Sequence, residues 1–207
     1  IMYALVEDGS ITKYFSGNRG ITIGAIQYPK AIFSLWTKSQ REAIGIYEIV
    51  WDNSKKKDEA WYINTNQSFA FANGKVTASY GDATAKKHAD TLWTAQDESD
   101  GKGTEGELAY RGLKYNLIQT VKQQAAAELS RTDWYVIRKT EKSTAIPSAI
   151  TDHRNAVRTK QAEMETAITN ASDTPALETL YTYVNTADEG DPVVMERPLG
   201  NLPILES

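Results

Sequence analysis

The chain has 207 residues, 41% of them hydrophobic, and 23 Lys and Arg against 27 Asp and Glu give a formal net charge of −4. This length suits one large domain or two small ones, and a mildly acidic chain without a cluster of basic residues does not suit nucleic acid as its main partner. The absence of cysteine excludes disulfides, thiolate metal sites and cysteine nucleophiles, and no apolar run approaches the ~20 residues that cross a bilayer.

The N-terminal part of the chain predicts short β-strands separated by turns. Apolar alternation and β-branched or aromatic side chains indicate the strands, which lie in chain order at residues 2–6, 11–15, 21–28, 46–51, 68–72 and 75–80. Asp8-Gly9 and Asn73-Gly74 each join two of them, because such pairs favour tight hairpin turns. A short helix is predicted at residues 38–44. Together these signals predict a small antiparallel β domain with one short helix.

The composition changes between residues 97 and 107. Residues 97–106 include three glycines and four acidic side chains, a composition that predicts an acidic, glycine-rich linker or exposed loop. We therefore expect an α+β protein with four parts. These are a β-rich domain at residues 1–96, a linker at 97–107, a helical domain at 108–190 and an extended C-terminal tail at 191–207.

After residue 107 the apolar spacing becomes helical. The first stripe predicts a helix from about residue 108 to 129 and contains Leu113, Leu117, Ile118, Val121 and Ala125. The second stripe begins at Pro147 and repeats every seven residues, at Ile150, Val157, Met164 and Ala171. Thr174 and Pro175 predict the start of a third helix, as its N-cap and its first helical residue.

The tail at residues 191–207 contains three prolines and many apolar side chains. Proline disfavours a helix, and an extended apolar segment can dock onto a neighbouring protein by strand addition or by insertion into a groove. Trp134 and Tyr135 suit either a core anchor or a contact hot spot. The candidate partner-binding residues are Trp134, Tyr135, Val193, Val194, Met195, Leu199, Leu202, Ile204 and Leu205.

No residue pattern in the sequence is typical of a catalytic, metal or cofactor site. His88 and His153 are the only histidines, and neither belongs to a His-x-x-x-His pair or accompanies a Gly-x-Ser-x-Gly serine. The Gly-x-Gly-x-x-Gly match at residues 101–106 follows acidic and polar residues instead of a buried strand. We therefore expect no enzymatic activity, no cofactor and no bound metal.

The aromatic side chains of the β domain suit either of two roles. They can fill the core of a small domain, or they can line a groove that binds carbohydrate or peptide. The set comprises Trp36, Trp51, Trp61, Tyr62, Phe69, Phe71 and Tyr80.

Two segments of the helical region resemble the C-terminal part of bacteriophage tail proteins. In tail-fibre assembly chaperones and related tail-associated proteins, a Thr-Asp-Trp segment precedes a Pro-initiated helix with Tyr-Arg-x-x-Leu-Arg or a close variant. The matching segments here are residues 129–138, which contain Thr-Asp-Trp, and residues 146–158, in which His153 and Val157 replace the Tyr and the Leu. The opening Tyr-Ala-Leu-Val-Glu-Asp-Gly, at residues 3–9, also looks like the start of many phage tail proteins.

The resemblance implies a structural component of the virion tail, such as a fibre, baseplate or adaptor-associated subunit. Such a protein is made in the bacterial host cytoplasm and acts through contacts with other phage tail proteins, in a homo-oligomer or symmetric assembly. A tail-fibre assembly chaperone is the first alternative, and a glycan-binding tail domain is the second. Neither nucleic-acid binding nor membrane insertion is expected.

Overall fold

Strands predominate in the N-terminal part of the protein and helices in the C-terminal part, so the predicted α+β class is confirmed. This arrangement comes from a computed structural model that describes residues 2–65 and 67–205. The chain divides into two units, Ile1–Thr84 and Ala85–Ser207, and each is described by itself.

The elements from the start of the chain to the end of the first unit are β1 (Tyr3–Glu7), β2 (Ser10–Phe15), β3 (Ile21–Ile23), β4 (Ile26–Tyr28), α1 (Ile32–Leu35), α2 (Lys38–Glu42), β5 (Ile46–Asp52), β6 (Tyr62–Ile63), β7 (Ser68–Ala72), β8 (Lys75–Ser79) and β9 (Thr84–Ala85). Five strands form one sheet in the order β2-β1-β5-β8-β7. Asp8, Gly9, Asn73 and Gly74 all have positive φ angles. Both predicted hairpins are therefore confirmed, as β1–β2 and β7–β8.

Three features of the first unit differ from the sequence predictions. β5 and β8 pair in parallel, so the sheet is mixed, because β7 takes the outer position and the chain returns from it to place β8 beside β5. The segment 21–28 forms the hairpin β3–β4 instead of one strand, since Gly24 has a φ of 58° and turns the chain between Ile23 and Ile26. A second short helix, α1, precedes α2, the helix that the sequence predicts.

Residues that alternate along the sheet form a hydrophobic cluster on each of its faces. One cluster contains Ala4, Val6, Ile49, Val76 and Ala78, and the other contains Tyr3, Leu5, Ile32 and Ile46. The rings of Tyr14 in β2 and Phe69 in β7 lie 4.8 Å apart. The two outer strands therefore approach each other, and the sheet curls around the first cluster.

The second unit continues with β10 (Thr91–Leu92), α3 (Ala95–Ser99), β11 (Leu108–Tyr110), α4 (Leu113–Ser130), α5 (Asp133–Lys142), α6 (Ser148–Asn170), α7 (Thr174–Tyr181), β12 (Val184–Asn185) and β13 (Met195–Glu196). β10 pairs with β11 and β12 pairs with β13, both antiparallel. α4 and α6 pack side by side in opposite directions. At one end Lys114 donates to the Thr169 carbonyl, and at the other Glu128 meets His153.

The predicted seven-residue repeat of α6 is confirmed as its buried face. Ile150, Val157, Met164 and Ala171 are all buried, and Val121 and Ala125 of α4 are buried as well. Because the described residues of the second unit form only two-stranded sheets, this contact between two helices forms a large part of its hydrophobic core.

The first residues of the helices agree only in part with those predicted from the sequence. α6 begins directly after Pro147, as predicted. α4 begins at Leu113 rather than near residue 108, because β11 occupies residues 108–110 and the Asp90 carboxylate accepts the Gly112 N–H at 2.8 Å. α7 begins at Thr174, but its N-cap is Asp173, whose carboxylate accepts the Ala176 N–H.

The segment 97–107, expected to be a linker, contains local structure that its composition does not indicate. Thr94 and Asp97 form a capping box at the start of α3. Lys102 forms ion pairs with Asp97 and Asp100. A Cβ on Gly103 would lie 2.3 Å from Trp93 Nε1, so this glycine allows the backbone to lie against the indole ring. Within this segment, Asp97 caps a helix and Gly103 packs against a tryptophan ring.

Candidate interaction site

A buried arginine fixes the corner between α4, α5 and α6. Arg154 Nη1 donates to the Leu129 carbonyl oxygen at 2.8 Å and to the Thr132 hydroxyl at 2.7 Å. Its Nη2 lies 2.9 Å from Asp133 Oδ1. A buried guanidinium needs such partners because it has lost its hydration. Thr132 and Asp133 belong to the Thr-Asp-Trp segment, so this segment determines how α5 leaves the helix pair.

Glu128 forms a second cluster of polar contacts beside this corner. Its carboxylate lies 2.9 Å from both His153 Nε2 and Arg131 Nη1, and it accepts the Leu205 N–H at 2.8 Å. Burial acts to raise the pKa of Glu128, but the Leu205 N–H, Arg131 and His153 together outweigh it and hold the pKa below its usual value. His153 is thus a packed side chain that contacts a carboxylate at the end of the helix pair.

The segment 199–205 binds back onto its own unit. Leu199 is 2% exposed and its N–H donates to the Leu180 carbonyl. At the far end, the Leu205 carbonyl accepts from Arg131 Nη2 at 3.3 Å. Of the tail residues predicted to bind a partner, Leu199 is therefore part of the core, and its backbone is held beside α7 by a contact between distant segments that the sequence does not reveal. Leu202 and Leu205 are half-buried, whereas Ile204 is 75% exposed.

Helix α5 carries the two aromatic residues predicted to bind a partner, and none of its ten residues is buried. Trp134 is 49% exposed and Ile137 is 57% exposed, and Val136 is exposed as well. The rings of Trp134 and Tyr135 lie 3.8 Å apart. These side chains therefore form a surface, and a core-anchor role for Trp134 does not apply.

Arg138 completes the aromatic group on α5. Its guanidinium carbon lies 4.8 Å from the centre of the Trp134 ring and 5.1 Å from that of Tyr135, an arrangement that favours a cation. Its Nε is buried without a hydrogen-bond partner among the described residues. We call the group formed by the exposed residues Trp134 and Ile137 and the half-buried residues Tyr135 and Arg138 the α5 surface.

A second apolar surface lies on the β12–β13 hairpin. Val193 is 69% exposed, and Tyr183, Val184, Val194 and Met195 are exposed as well. The Asn185 side chain accepts the N–H groups of Ala187 and Val194, which shapes the loop. The loop carries three exposed acidic residues, Asp188, Glu189 and Asp191. The structure thus places the predicted residues Val193, Val194 and Met195 together on one exposed hairpin.

Several residues of these two surfaces are not indicated by the sequence pattern. Ile137 and Arg138 follow Trp134 in the same helix, and the spacing Trp134, Ile137, Arg138 is that of one helical face. Tyr183 and Val184 were missed because the pairing of β12 with β13 joins segments separated by a long loop. The Glu128–His153 contact joins two helices and leaves no signal in the local sequence.

The aromatic residues of the first unit divide between its core and its surface. Trp61 and Tyr62 are buried, which agrees with a role in the core. Trp51 is exposed, and its ring lies 6.3 Å from that of Phe69 and 6.4 Å from that of Tyr80. A groove that uses aromatic stacking would therefore depend on Trp51.

The described residues show neither a metal-binding group nor a helix that could cross a membrane. Within residues 2–65 and 67–205, no group of three or more His, Asp or Glu side chains is placed to hold a metal ion. No helix in this part of the chain combines the length and the apolar character needed to cross a membrane. Comparisons with protein-family models, with curated proteins and with solved structures give no match to this chain.

Proposed function

We propose that the protein is a structural component of a bacteriophage tail that acts through contacts with other tail proteins. The observation that carries this proposal is the α5 surface. A helix of ten residues that buries none of them receives little support from its own chain, and isolated helices shorter than about 12 residues are marginal in water. A partner that covers Trp134 and Ile137 would supply the missing packing.

The β12–β13 hairpin supports the same conclusion. Each of its strands has two residues, and all four are exposed. A lone two-stranded hairpin is marginally stable, and neighbouring exposed apolar side chains are typical of a contact surface. An additional strand from a neighbouring protein would satisfy its free backbone groups.

The resemblance to phage tail proteins connects this surface with a tail. Its best-matching segments contain Thr132, Asp133 and Arg154, the residues that fix the start of α5. A need to position helix α5, common to this chain and the proteins it resembles, would give a physical reason why they have these residues in common.

Mass spectrometry of purified virions of the phage that encodes the chain would test the proposal. We expect the chain at a fixed ratio to the major tail protein. Its absence from virions with complete tails would contradict a structural role. Absence together with loss of fibres when the gene is deleted would favour the alternative role, a fibre assembly chaperone.

The exposed ring of Trp51 favours a glycan-binding tail domain as a second candidate function. Its contacts with Phe69 and Tyr80 form a partly exposed aromatic row. Binding to host polysaccharide, compared between the wild type and Trp51→Ala, would test it. Ile63→Ala, at an exposed apolar residue of the same unit, is the matched control. Equal retention of the three proteins would exclude Trp51 as the binding residue, and a wild type that is not retained at all would exclude this function.

A further inference from the structure

We propose that copies of this protein associate head to tail, with the β12–β13 hairpin of one copy bound to the α5 surface of the next. This inference rests on the contacts of the second unit alone. It goes beyond the proposed tail role and does not depend on it.

The α5 surface is apolar, and helix α5 is basic towards its end. Arg138, Lys139 and Lys142 lie along the helix together with one acidic residue, Glu141, and in the part of the chain that the structure describes none of the three cations forms an ion pair. Arg138 is held against two aromatic rings, so its guanidinium group is already positioned. A carboxylate brought to this place would form a charge-assisted hydrogen bond with an already positioned guanidinium. The surface therefore suits an occupant that is both apolar and acidic.

The β12–β13 hairpin has these two properties. Val193, Val194 and Met195 are exposed beside the loop that carries Asp188, Glu189 and Asp191. Within the described residues, these three carboxylates form no ion pair. The hairpin can thus place apolar side chains on Trp134 and Ile137 and carboxylates near Arg138.

Complementary charge is the reason for choosing a second copy as the occupant. Every copy carries one basic and one acidic apolar surface, so each chain offers both halves of the contact. Because the two halves are different surfaces, the contact is heterologous. Such contacts repeat until they close into a ring or extend into a filament.

Charge reversal tests the contact directly. Sedimentation velocity of the full chain is expected to show an oligomer that dissociates at high salt, because exposed charges are screened. Arg138→Glu should weaken association at least tenfold, and so should Asp188→Lys combined with Asp191→Lys. The protein with all three changes should recover association, because the pairing is restored with reversed signs. Arg158→Glu, an exposed charge reversal on α6, should have no effect.

Cross-linking gives a second test that does not depend on charge. The chain has no cysteine, so Ile137→Cys and Val193→Cys can be made in two proteins of different tagged mass. On mixing equal amounts and oxidation, we expect the disulfide dimer that contains one chain of each kind to make up well over half of all dimers, because random pairing would already give about half. Circular dichroism of each variant verifies that the helices are intact.

A wild type that stays monomeric at all concentrations would overturn the proposal. It would also be overturned if the triple variant were as dissociated as the separate variants, or if the mixed disulfide dimers made up no more than about half of all dimers. Each of these results leaves the presence of the protein in virions to be decided independently by mass spectrometry.

Discussion

The arginine at the α4–α5–α6 corner allows a quantitative test of how the second unit is held together. Arg154→Met removes the guanidinium and keeps most of the apolar stem. Breaking a buried ion pair usually costs about 3–5 kcal/mol, because the remaining partner is left buried without a contact. The structure indicates a smaller loss here, since each partner of Arg154 keeps other contacts.

The partners of Arg154 determine the size of the expected loss. The Leu129 carbonyl still accepts the N–H and the hydroxyl of Thr132, and Asp133 is half-exposed and can be solvated. Two hydrogen bonds at about 0.5–1.5 kcal/mol each and a partly exposed ion pair at about 0.2–1 kcal/mol are lost. The sum spans about 1–4 kcal/mol, and its centre predicts that the free energy of unfolding falls by about 2–3 kcal/mol.

Urea unfolding followed by circular dichroism at the helix band would measure this change, because the long helices lie in the second unit. Because the free energy of unfolding of a small protein falls by about 1–3 kcal/mol per molar urea, the urea concentration at the unfolding midpoint should fall by roughly 1 M or more. Arg158→Met, one helical turn further on the exposed side, is the control and should change stability by less than about 0.5 kcal/mol. Equal midpoints for the two variants would refute the argument that Arg154 fixes the corner.

Three further predictions concern other contacts. The pKa of Glu128 is lowered in the folded protein, so its contribution to stability is present at neutral pH and is lost as pH falls through the ordinary glutamate range and below; Glu128→Gln should reduce the difference between unfolding midpoints at pH 7 and pH 4. Leu199→Ala should lower stability by about 2–4 kcal/mol in urea unfolding, whereas Ile204→Ala, at a 75% exposed residue, should have almost no effect. Gly103→Ala should displace the Trp93 ring, because the new Cβ would lie 2.3 Å from Nε1, and an unchanged tryptophan emission spectrum would contradict that contact.

Local signals predicted the parts of the fold that local physics determines. Asn73-Gly74 predicts its hairpin because two adjacent residues supply both positive φ angles. The seven-residue spacing from Ile150 predicts the buried face of α6 because Ile150, Val157 and Met164 lie on one helix and Ala171 is its C-cap. In both cases the residues that determine the structure lie in the same segment that adopts it.

Contacts between distant segments could not be predicted in this way. The parallel pairing of β5 with β8 depends on where the chain places β7, and the Glu128–His153 contact depends on the packing of α4 against α6. Leu199 looked free for a partner because its burial site is built by other helices. The sequence indicated only part of the α5 surface. Whether Trp134 is exposed depends on which distant segments pack against it, and the local sequence does not determine that.

The return of the segment 199–205 to the helix pair affects the order in which the second unit can fold. Ribosomal synthesis produces α4, α5 and α6 before the residues that bind Glu128 and Arg131. On the ribosome this segment cannot dock before the helices that it contacts have been made. A chain interrupted before residue 199 would therefore lack the contacts that Leu205 makes with Glu128 and Arg131, and the buried Leu199 as well.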